Sequence, residues 1–312
     1  MNFQQLRIVR ETVRCGFNLT EVASVLFTSQ SGVSRHIKDL EDELGVELFV
    51  RKGKRLLGLT EPGKELVVVV ERMLLDAANI KRLAEHYSNR DQGQLTVVTT
   101  HTQARYALPR VVTAFKRAFP KVHLKLHQGS PDEIAQMLLA GQADIGIATE
   151  ALADVAELAS FPFYSWQHAV VVPAGHALES AQPLSLEAVA AHPVITYHEG
   201  FTGRAQIDRA FAAAGLVPDV VMSALDADVI KTYVELELGV GILASVAFDP
   251  LRDGRLRKLE SDHLFPENIT RIAIRRGHYL RAFAYRFIEL CAPHLTEAHI
   301  AQALSGPVEN AA

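Results

Sequence analysis

Residues 20–51 read TEVASVLFTSQSGVSRHIKDLEDELGVELFVR, and the spacing inside this stretch decides the N-terminal fold. Val33, Ile37, Leu40 and Leu44 recur at intervals of three and four, so they form the inward face of a helix. Ser31, Ser34, Arg35 and Lys38 fall on its outward face. Just before it, Val22, Ala23, Val25 and Leu26 supply the buried side of a shorter helix that Thr20 can cap. Working outward, Phe3, Leu6, Ile8, Val9 and Val13 mark a first helix over Phe3–Cys15, with Gly16 as its stop. Two helices joined by a tight turn, the second carrying hydroxyls, Gln and cations in its N-terminal half, form a helix-turn-helix. In such a unit Gln and Arg reach base edges in the major groove and hydroxyls bond phosphates. Residues 47–63, ELFVRKGKRLLGLTEPG, then predict two short strands, Leu48–Val50 and Leu56–Leu59, around a basic turn. That is a wing, and Arg51, Lys52, Lys54 and Arg55 at its tip would lie on a phosphate backbone.

From Pro62 to about Asn89 the pattern suits one long helix, with Pro62 tolerated in its first turn. Leu66, Val70, Met73, Ala77, Ile80, Ala84 and Tyr87 alternate four and three apart, a heptad seam. Behind a DNA-binding module such a seam implies a paired helix, because a dimer matches two half-sites. Residues 1 to about 90, through the motif at residues 20–51 and the closing LTEPGK, resemble the winged helix-turn-helix and linker helix of the LysR-type transcriptional regulators. That resemblance implies that Ser29, Gln30, Ser31, Ser34, Arg35 and Lys38 face DNA, with the wing cations on phosphate.

From Leu95 onward short apolar strands interleave with helices, the signature of α/β layers. Strands are expected at 95–99, 122–126, 145–148, 169–172, 194–197, 220–224, 240–244 and 272–274. Helices are expected at 104–118, 131–140, 203–214, 227–238 and 280–290. SFPFYSW at residues 160–166 and SDHLFPEN at 261–268 read as two crossings between two open sheets, which would leave a cleft and a hinge as in periplasmic binding proteins. Ligands in such folds sit at the carboxyl ends of strands, where the next helix presents free amides. Three strand ends qualify: Thr100, Thr102 and Gln103 after the first strand, Thr149 and Glu150 after the third, and Thr202, Gly203 and Arg204 after Tyr197. Gly203 lets backbone approach a ligand closely, and helix N-termini favour anions. A small, polar, anionic ligand between two lobes is the expected occupant.

This half also matches the effector half of LysR-type regulators, so the resemblance covers nearly the whole chain. TTHTQARYALP, ADIGIATE and EGFTGR resemble the CysB subgroup closely. That likeness implies a cleft for sulfate-like anions or acetylated serine, control of sulfur-assimilation and cysteine-biosynthesis genes, and ligand contacts at Thr100, Thr102, Gln103, Thr149 and Thr202. A regulator of sulfonate or sulfate-ester use is the alternative.

The expected fold is therefore α/β: a winged helix-turn-helix over 1–59, a linker helix over 60–91 and a two-lobed effector domain over 92–312. Lobe I takes 92–163 and 268–312, and lobe II takes 164–267. Bulk properties agree with this division. At 312 residues the chain exceeds one ordinary core. Its net charge of −4 is unevenly spread: residues 1–90 hold 14 basic and 12 acidic residues, net +2, leaving 18 and 24, net −6, for the rest. Two cysteines, Cys15 and Cys291, make neither a disulfide framework nor a metal cluster, and the N-terminus lacks a secretion signal. A cytoplasmic setting follows.

Enzymatic activity is disfavoured. His101 sits among Thr99, Thr100 and Thr102, but adjacent strand residues face opposite ways, and no nucleophile elbow, P-loop or dinucleotide fingerprint occurs. The 13 histidines suggest no metal site either, since His123 and His127 lie with Lys125 on an outer strand face. No catalytic residue, metal or cofactor is expected. The expected partners are double-stranded operator DNA, the small effector, further copies of the chain in a homodimer or homotetramer, and RNA polymerase. A binding protein with no regulatory role is disfavoured by the basic N-terminal module.

Overall fold

The computed structural model describes residues 1–53, 55–88, 92–149 and 152–305, and the chain divides into two compact units, Met1–Ala84 and Glu85–Ala312. In the first, α1 (Phe3–Arg14), α2 (Leu19–Val25) and α3 (Gln30–Leu44) enclose Ile8, Val9, Val22, Val33, Ile37 and Leu40. The expected inward positions Val25 and Leu44 are instead 49% and 38% exposed. The cap of α2 also differs from expectation. Asn18, not Thr20, accepts from the amides of Thr20 and Glu21 at 3.1 and 3.3 Å, because the helix begins at Leu19, one residue before Thr20.

The wing forms as an antiparallel pair of β1 (Phe49–Lys52) and β2 (Arg55–Leu59), with Phe49 opposite Leu59. Lys54, expected at its tip, lies outside the described residues. What holds the wing is Glu41 of α3, a buried carboxylate. Its Oε1 accepts from the amides of Leu48 and Phe49 at 2.8 and 3.2 Å, and its Oε2 accepts from Arg51 at 2.6 Å. Arg51, expected on phosphate, is therefore bound internally. A buried carboxylate needs such partners, since an unpaired charge out of water is costly.

α4 (Glu61–Ser88) follows, entered through Thr60, whose Oγ1 accepts from the Gly63 amide at 3.1 Å. Gly63 is required by close approach: a Cβ there would stand 2.1 Å from the Leu48 carbonyl oxygen. Val70 and Leu74 of α4 pack on Leu6. Farther along the expected seam, Ile80 and Tyr87 are 68% and 73% exposed.

The second unit contains two five-stranded sheets. The first has the order β4-β3-β5-β12-β6 and is built from β3 (Gly93–Thr99), β4 (Val122–Gln128), β5 (Ile145–Ala148), β6 (Leu158–Trp166) and β12 (Asn268–Arg275). The second, β11-β7-β10-β8-β9, uses β7 (His168–Pro173), β8 (Val194–Tyr197), β9 (Val220–Ala224), β10 (Val240–Ala244) and β11 (Leu256–Lys258). Helices α5 (Leu108–Ala118), α6 (Pro131–Leu139), α10 (Ala282–Cys291) and α11 (Glu297–Ser305) belong to the first lobe, and Phe115, Phe283 and Phe287 fill its core. α7 (Leu186–Ala190), α8 (Arg204–Ala213) and α9 (Ala227–Glu235) cover the second.

In each sheet one strand runs parallel to a neighbour on both sides, β3 between β4 and β5 and β8 between β9 and β10. The connections leaving the carboxyl ends of β3 and β8 therefore diverge, opening a crevice at each. SFPFYSW is not a bare crossing but most of β6, which pairs antiparallel with β12 from Leu158 opposite Arg275 to Trp166 opposite Asn268. The first crossing is thus Gln167, not residue 164, and the second lies between β11 and β12.

Glu41→Ala should leave two wing amides and Arg51 unpaired and destabilise the N-terminal unit by about 3 kcal/mol. Calorimetry of the full chain should show a lowered N-terminal transition with that of the second unit unmoved; an unshifted profile would contradict this account of the wing.

Candidate functional site

Two arrangements collect the expected residues. On the first unit, Ser29 caps α3, accepting from the Gly32 amide at 3.1 Å, with its Oγ 3.2 Å from that of Ser31. Gln30, Ser31, Arg35 and Lys38 are exposed and Ser34 is half-buried. Arg35 keeps 83% of its side chain in solvent beside Asp39 at 3.7 Å, a pair too open to hold it. Lys52 and Arg55 are exposed on the wing. Among the described residues of this set Arg35, Lys38, Lys52 and Arg55 are exposed without a buried partner, whereas Arg51, also exposed, is paired with Glu41.

On the second unit, Thr100, Thr102, Gln103 and Thr202 are all buried, although each carries a hydrogen-bonding side chain. The expected helix after β3 starts instead as a π-helical turn, Gln103–Ala107, before α5. Such single turns favour functional sites. Gln103 Nε2 donates to Thr270 Oγ1 at 3.2 Å, while its Oε1 accepts from the Tyr164 hydroxyl at 2.6 Å. Trp166 Nε1 donates to the same Thr270 oxygen at 3.0 Å, and Thr149 Oγ1 lies 3.3 Å from it. The Thr102 hydroxyl is buried against the hydroxyl of Tyr197, which accepts from the Ala244 amide at 3.0 Å. Thr99, by contrast, is structural, donating across the sheet to the Ile147 carbonyl at 2.9 Å. Glu150 lies outside the described residues.

After β8 the chain turns through Thr202 and Gly203, both left-handed at φ 44° and 72°. Gly203 cannot be larger, since a Cβ would meet Asn268 Oδ1 at 2.4 Å and His168 Cε1 at 2.7 Å. His168 Nε2 is 3.0 Å from the Thr202 carbonyl, and Asn268 Nδ2 is 3.3 Å from His168 Nδ1. A carbonyl only accepts and an amide nitrogen only donates, so the proton sits on Nε2. Burial pushes the His168 pKa down to about 4, which keeps the ring neutral. Arg204 is engaged internally, donating to the Tyr197 carbonyl at 2.6 Å and to Asp208 at 2.8 Å. It braces the turn.

Between the lobes, Tyr106 packs against the second lobe's core, with its hydroxyl donating to Asp228 at 2.8 Å and Lys231 donating to that hydroxyl at 3.2 Å. His101, Asp226 and Asp228 bring possible ligand atoms within 4.8 Å of one another. Arg105 at 2.6 Å and Tyr106 already occupy both Asp228 oxygens, so this cluster makes a poor metal site.

Sequence reasoning missed Tyr164, Trp166, His168, Asn268 and Thr270. The one available signal was the polar pair Asn268 and Thr270, in step with apolar Ile272 and Ile274 on an inward strand face.

The sequence matches "LysR substrate binding domain" over residues 88–296 and "Bacterial regulatory helix-turn-helix protein, lysR family" over residues 3–64. The chain belongs to the LysR family and is a DNA-binding transcription regulator rather than an enzyme. It is 61% identical over 301 residues to the HTH-type transcriptional regulator SsuR of Burkholderia cenocepacia, covering 96% of this chain and 98% of that one. It is 53% identical to CysB of the same organism over 99% of both chains, and 54% identical to Cbl of Escherichia coli over 93% and 92%. These relatives place it with the CysB subgroup, in sulfur metabolism. The crystal structure of the Cbl cofactor-binding domain superposes with a TM-score of 0.67 at 46% identity, over 70% of this chain and 95% of that one. Among the described residues no helix is long and apolar enough to cross a membrane.

Below the ordinary histidine pKa the unfolded chain takes up a proton that buried His168 refuses until about pH 4. Its contribution to stability is thus complete above about pH 6.5 and declines as pH falls, by about 1.4 kcal/mol per unit. The stability gap between wild type and His168→Gln should narrow by about 2 to 3 kcal/mol between pH 7 and 4.5 in denaturant titrations; a constant gap would show that His168 is not held neutral.

Proposed function

We propose that the chain regulates genes of sulfur assimilation and cysteine biosynthesis in response to a small sulfur-metabolism effector, sulfate, acetylserine or a related anion, held between the two lobes. Thr100, Thr102, Gln103, Thr149 and the Thr202–Gly203 turn are its contacts. The observation that carries the reading is the burial of Thr100, Thr102, Gln103 and Thr202, which with half-buried Thr149 make a set of neutral hydrogen-bonding groups at the ends of β3, β5 and β8. Such donors suit an anion bound reversibly and left unchanged. Ser29, Gln30, Ser31, Ser34, Arg35 and Lys38 meet operator DNA, and Lys52, Lys54 and Arg55 meet its phosphates. The exposed Ile80 and Tyr87 of α4 supply part of a helix pair joining copies into a homodimer or homotetramer. Effector binding shifts lobe closure and so the spacing of the DNA-binding heads. RNA polymerase is the downstream partner, and the setting is cytoplasmic.

A second reading, control of sulfonate or sulfate-ester use with a different effector, is favoured by the higher identity to SsuR, 61%, than to CysB, 53%.

Calorimetry of the full chain against sulfate, thiosulfate, O-acetylserine, N-acetylserine and adenylyl sulfate separates the two. Thr100→Val and Thr202→Val should weaken the active compound at least about tenfold, or about 1.4 kcal/mol, while operator affinity is retained. Normal responses from both variants would sink the pocket assignment. Arg35→Ala should weaken operator binding and flatten its salt dependence; an unchanged gel-shift titration would rule out the proposed recognition face.

A further inference from the structure

Apart from the hinge strands, the two lobes meet through a charged junction. The first lobe contributes Arg105 and Tyr106, neighbours in the π-helical turn after β3. The second contributes Asp228 and Lys231 of α9, with Asp253 against Lys231. Asp228 takes one group of the first lobe on each oxygen: its Oδ1 accepts from the Tyr106 hydroxyl at 2.8 Å and its Oδ2 from Arg105 at 2.6 Å. Lys231 donates to the Tyr106 oxygen at 3.2 Å and stands 5.3 Å from the centre of its ring.

What these groups lose when the lobes part is unequal. An ammonium has three hydrogens, and the second lobe alone offers Lys231 three acceptors: the Ala247 carbonyl at 2.9 Å and the two Asp253 oxygens at 3.0 and 3.1 Å. Asp253, itself buried, also accepts from the Asp249 amide at 2.8 Å. The second lobe therefore keeps its buried ion pair matched without help from the first, and parting strands no buried charge. Asp228 is half-buried and Arg105 exposed, so both pass into water at small cost, and their pairing is correspondingly modest. The junction stabilises the joined lobes, yet it breaks and re-forms without leaving either lobe with an unmatched interior.

We infer that Arg105, Tyr106 and Asp228 form a reversible latch between the lobes, which sets how much of the time they stand together in the protein with nothing bound. The inference does not depend on what the cleft takes, because every group in the latch belongs to the chain. Its position gives it leverage: Gln103, tied to Tyr164 and Thr270 of the first lobe, and Tyr106, tied to Asp228 of the second, lie in the same five-residue turn.

The test measures the separation of the lobes directly. β4 runs parallel to β3 and β9 to β8, so their carboxyl ends lie on the crevice side of each lobe, where Gln128 and Ser223 are exposed. Spin labels on Gln128→Cys and Ser223→Cys, in the full-length chain with Cys15 and Cys291 replaced by serine and diluted with unlabelled chain, report that distance by pulsed electron paramagnetic resonance. With the latch intact and no effector added, one short distance should dominate. Tyr106→Phe keeps the ring and removes the hydrogen bond, and should raise the ratio of long to short distances about tenfold. Arg105→Gln removes an exposed charge and should raise it about threefold, which keeps the test open if the tyrosine variant fails to fold. High salt should move the intact latch toward the long distance and leave Asp228→Ala unmoved. Because both groups act through Asp228, adding Tyr106→Phe to Asp228→Ala should raise the ratio by less than about threefold; a full tenfold increase there would overturn the shared latch. Unchanged distances in the folded single variants would overturn it as well, as would an intact latch already spread evenly over both distances.

Discussion

The antiparallel pairing of β6 with β12 is the constraint on which the effector unit depends, because the chain leaves and re-enters the first lobe along these two strands. The register sets Trp166 opposite Asn268 and Tyr164 opposite Thr270. Indole, phenol, amide and hydroxyl are therefore delivered to one end of the sheet, where no local sequence signal gathers them. From there the contacts divide. Thr270 reaches Gln103 and Thr149 of the first lobe. Asn268, with His168 just past the Gln167 crossing, reaches the Thr202–Gly203 turn of the second. Trp166 and His168 pack edge to face, ring centroids 4.9 Å apart, which closes the chain of contacts. Both walls of the proposed pocket are thus held by the hinge segments themselves, so a displacement of either wall would be felt at the hinge directly.

The sequence was most informative where the determinants are local. β5, β8, β9 and β10 occur where the short apolar runs and their flanking turns predict, because strand length and turn chemistry are encoded within a few residues. The three strand ends proposed as ligand contacts follow from the same local reading. It fell short where a partner distant in sequence decides the outcome. Arg51 looked like a wing-tip cation until Glu41, ten residues earlier, was seen to hold it. Trp166 and Thr270 are 104 residues apart, and only strand pairing joins them. A cation in a motif gives charge, but its availability depends on tertiary neighbours.

The same distinction separates the two surfaces proposed to face anions. On the first unit Arg35, Lys38, Lys52 and Arg55 are exposed cations, so attraction to phosphate is long-ranged and weakened by salt. In the proposed pocket the charged side chains nearby are already matched: Arg105 with Asp228, Lys231 with Asp253, and Arg204 with Asp208. What remains is hydroxyl and amide dipoles, buried and therefore little screened. Dipoles fixed in direction discriminate by hydrogen-bond geometry, whereas a free cation attracts any anion. A sensor that must recognise one small anion amid phosphate and nucleotides needs the former, while a surface that scans DNA needs the latter.

Neutral donors also bear on reversibility. A cation held unpaired in a dry pocket would carry a large desolvation cost in the unliganded state and would bind its anion correspondingly hard. A buried hydroxyl such as that of Thr102 costs far less when one of its hydrogen bonds is left unmade, on the order of 1 to 3 kcal/mol. A few groups of this kind supply enough differential binding to move a two-state hinge, and each is weak enough for the ligand to leave when its concentration falls. The internal pairing of Arg204 then has a functional consequence as well as a structural one. With Asp208 matching its charge, the turn would, on the proposed reading, present donors to the cleft without the excess positive charge that would turn a sensor into a sink.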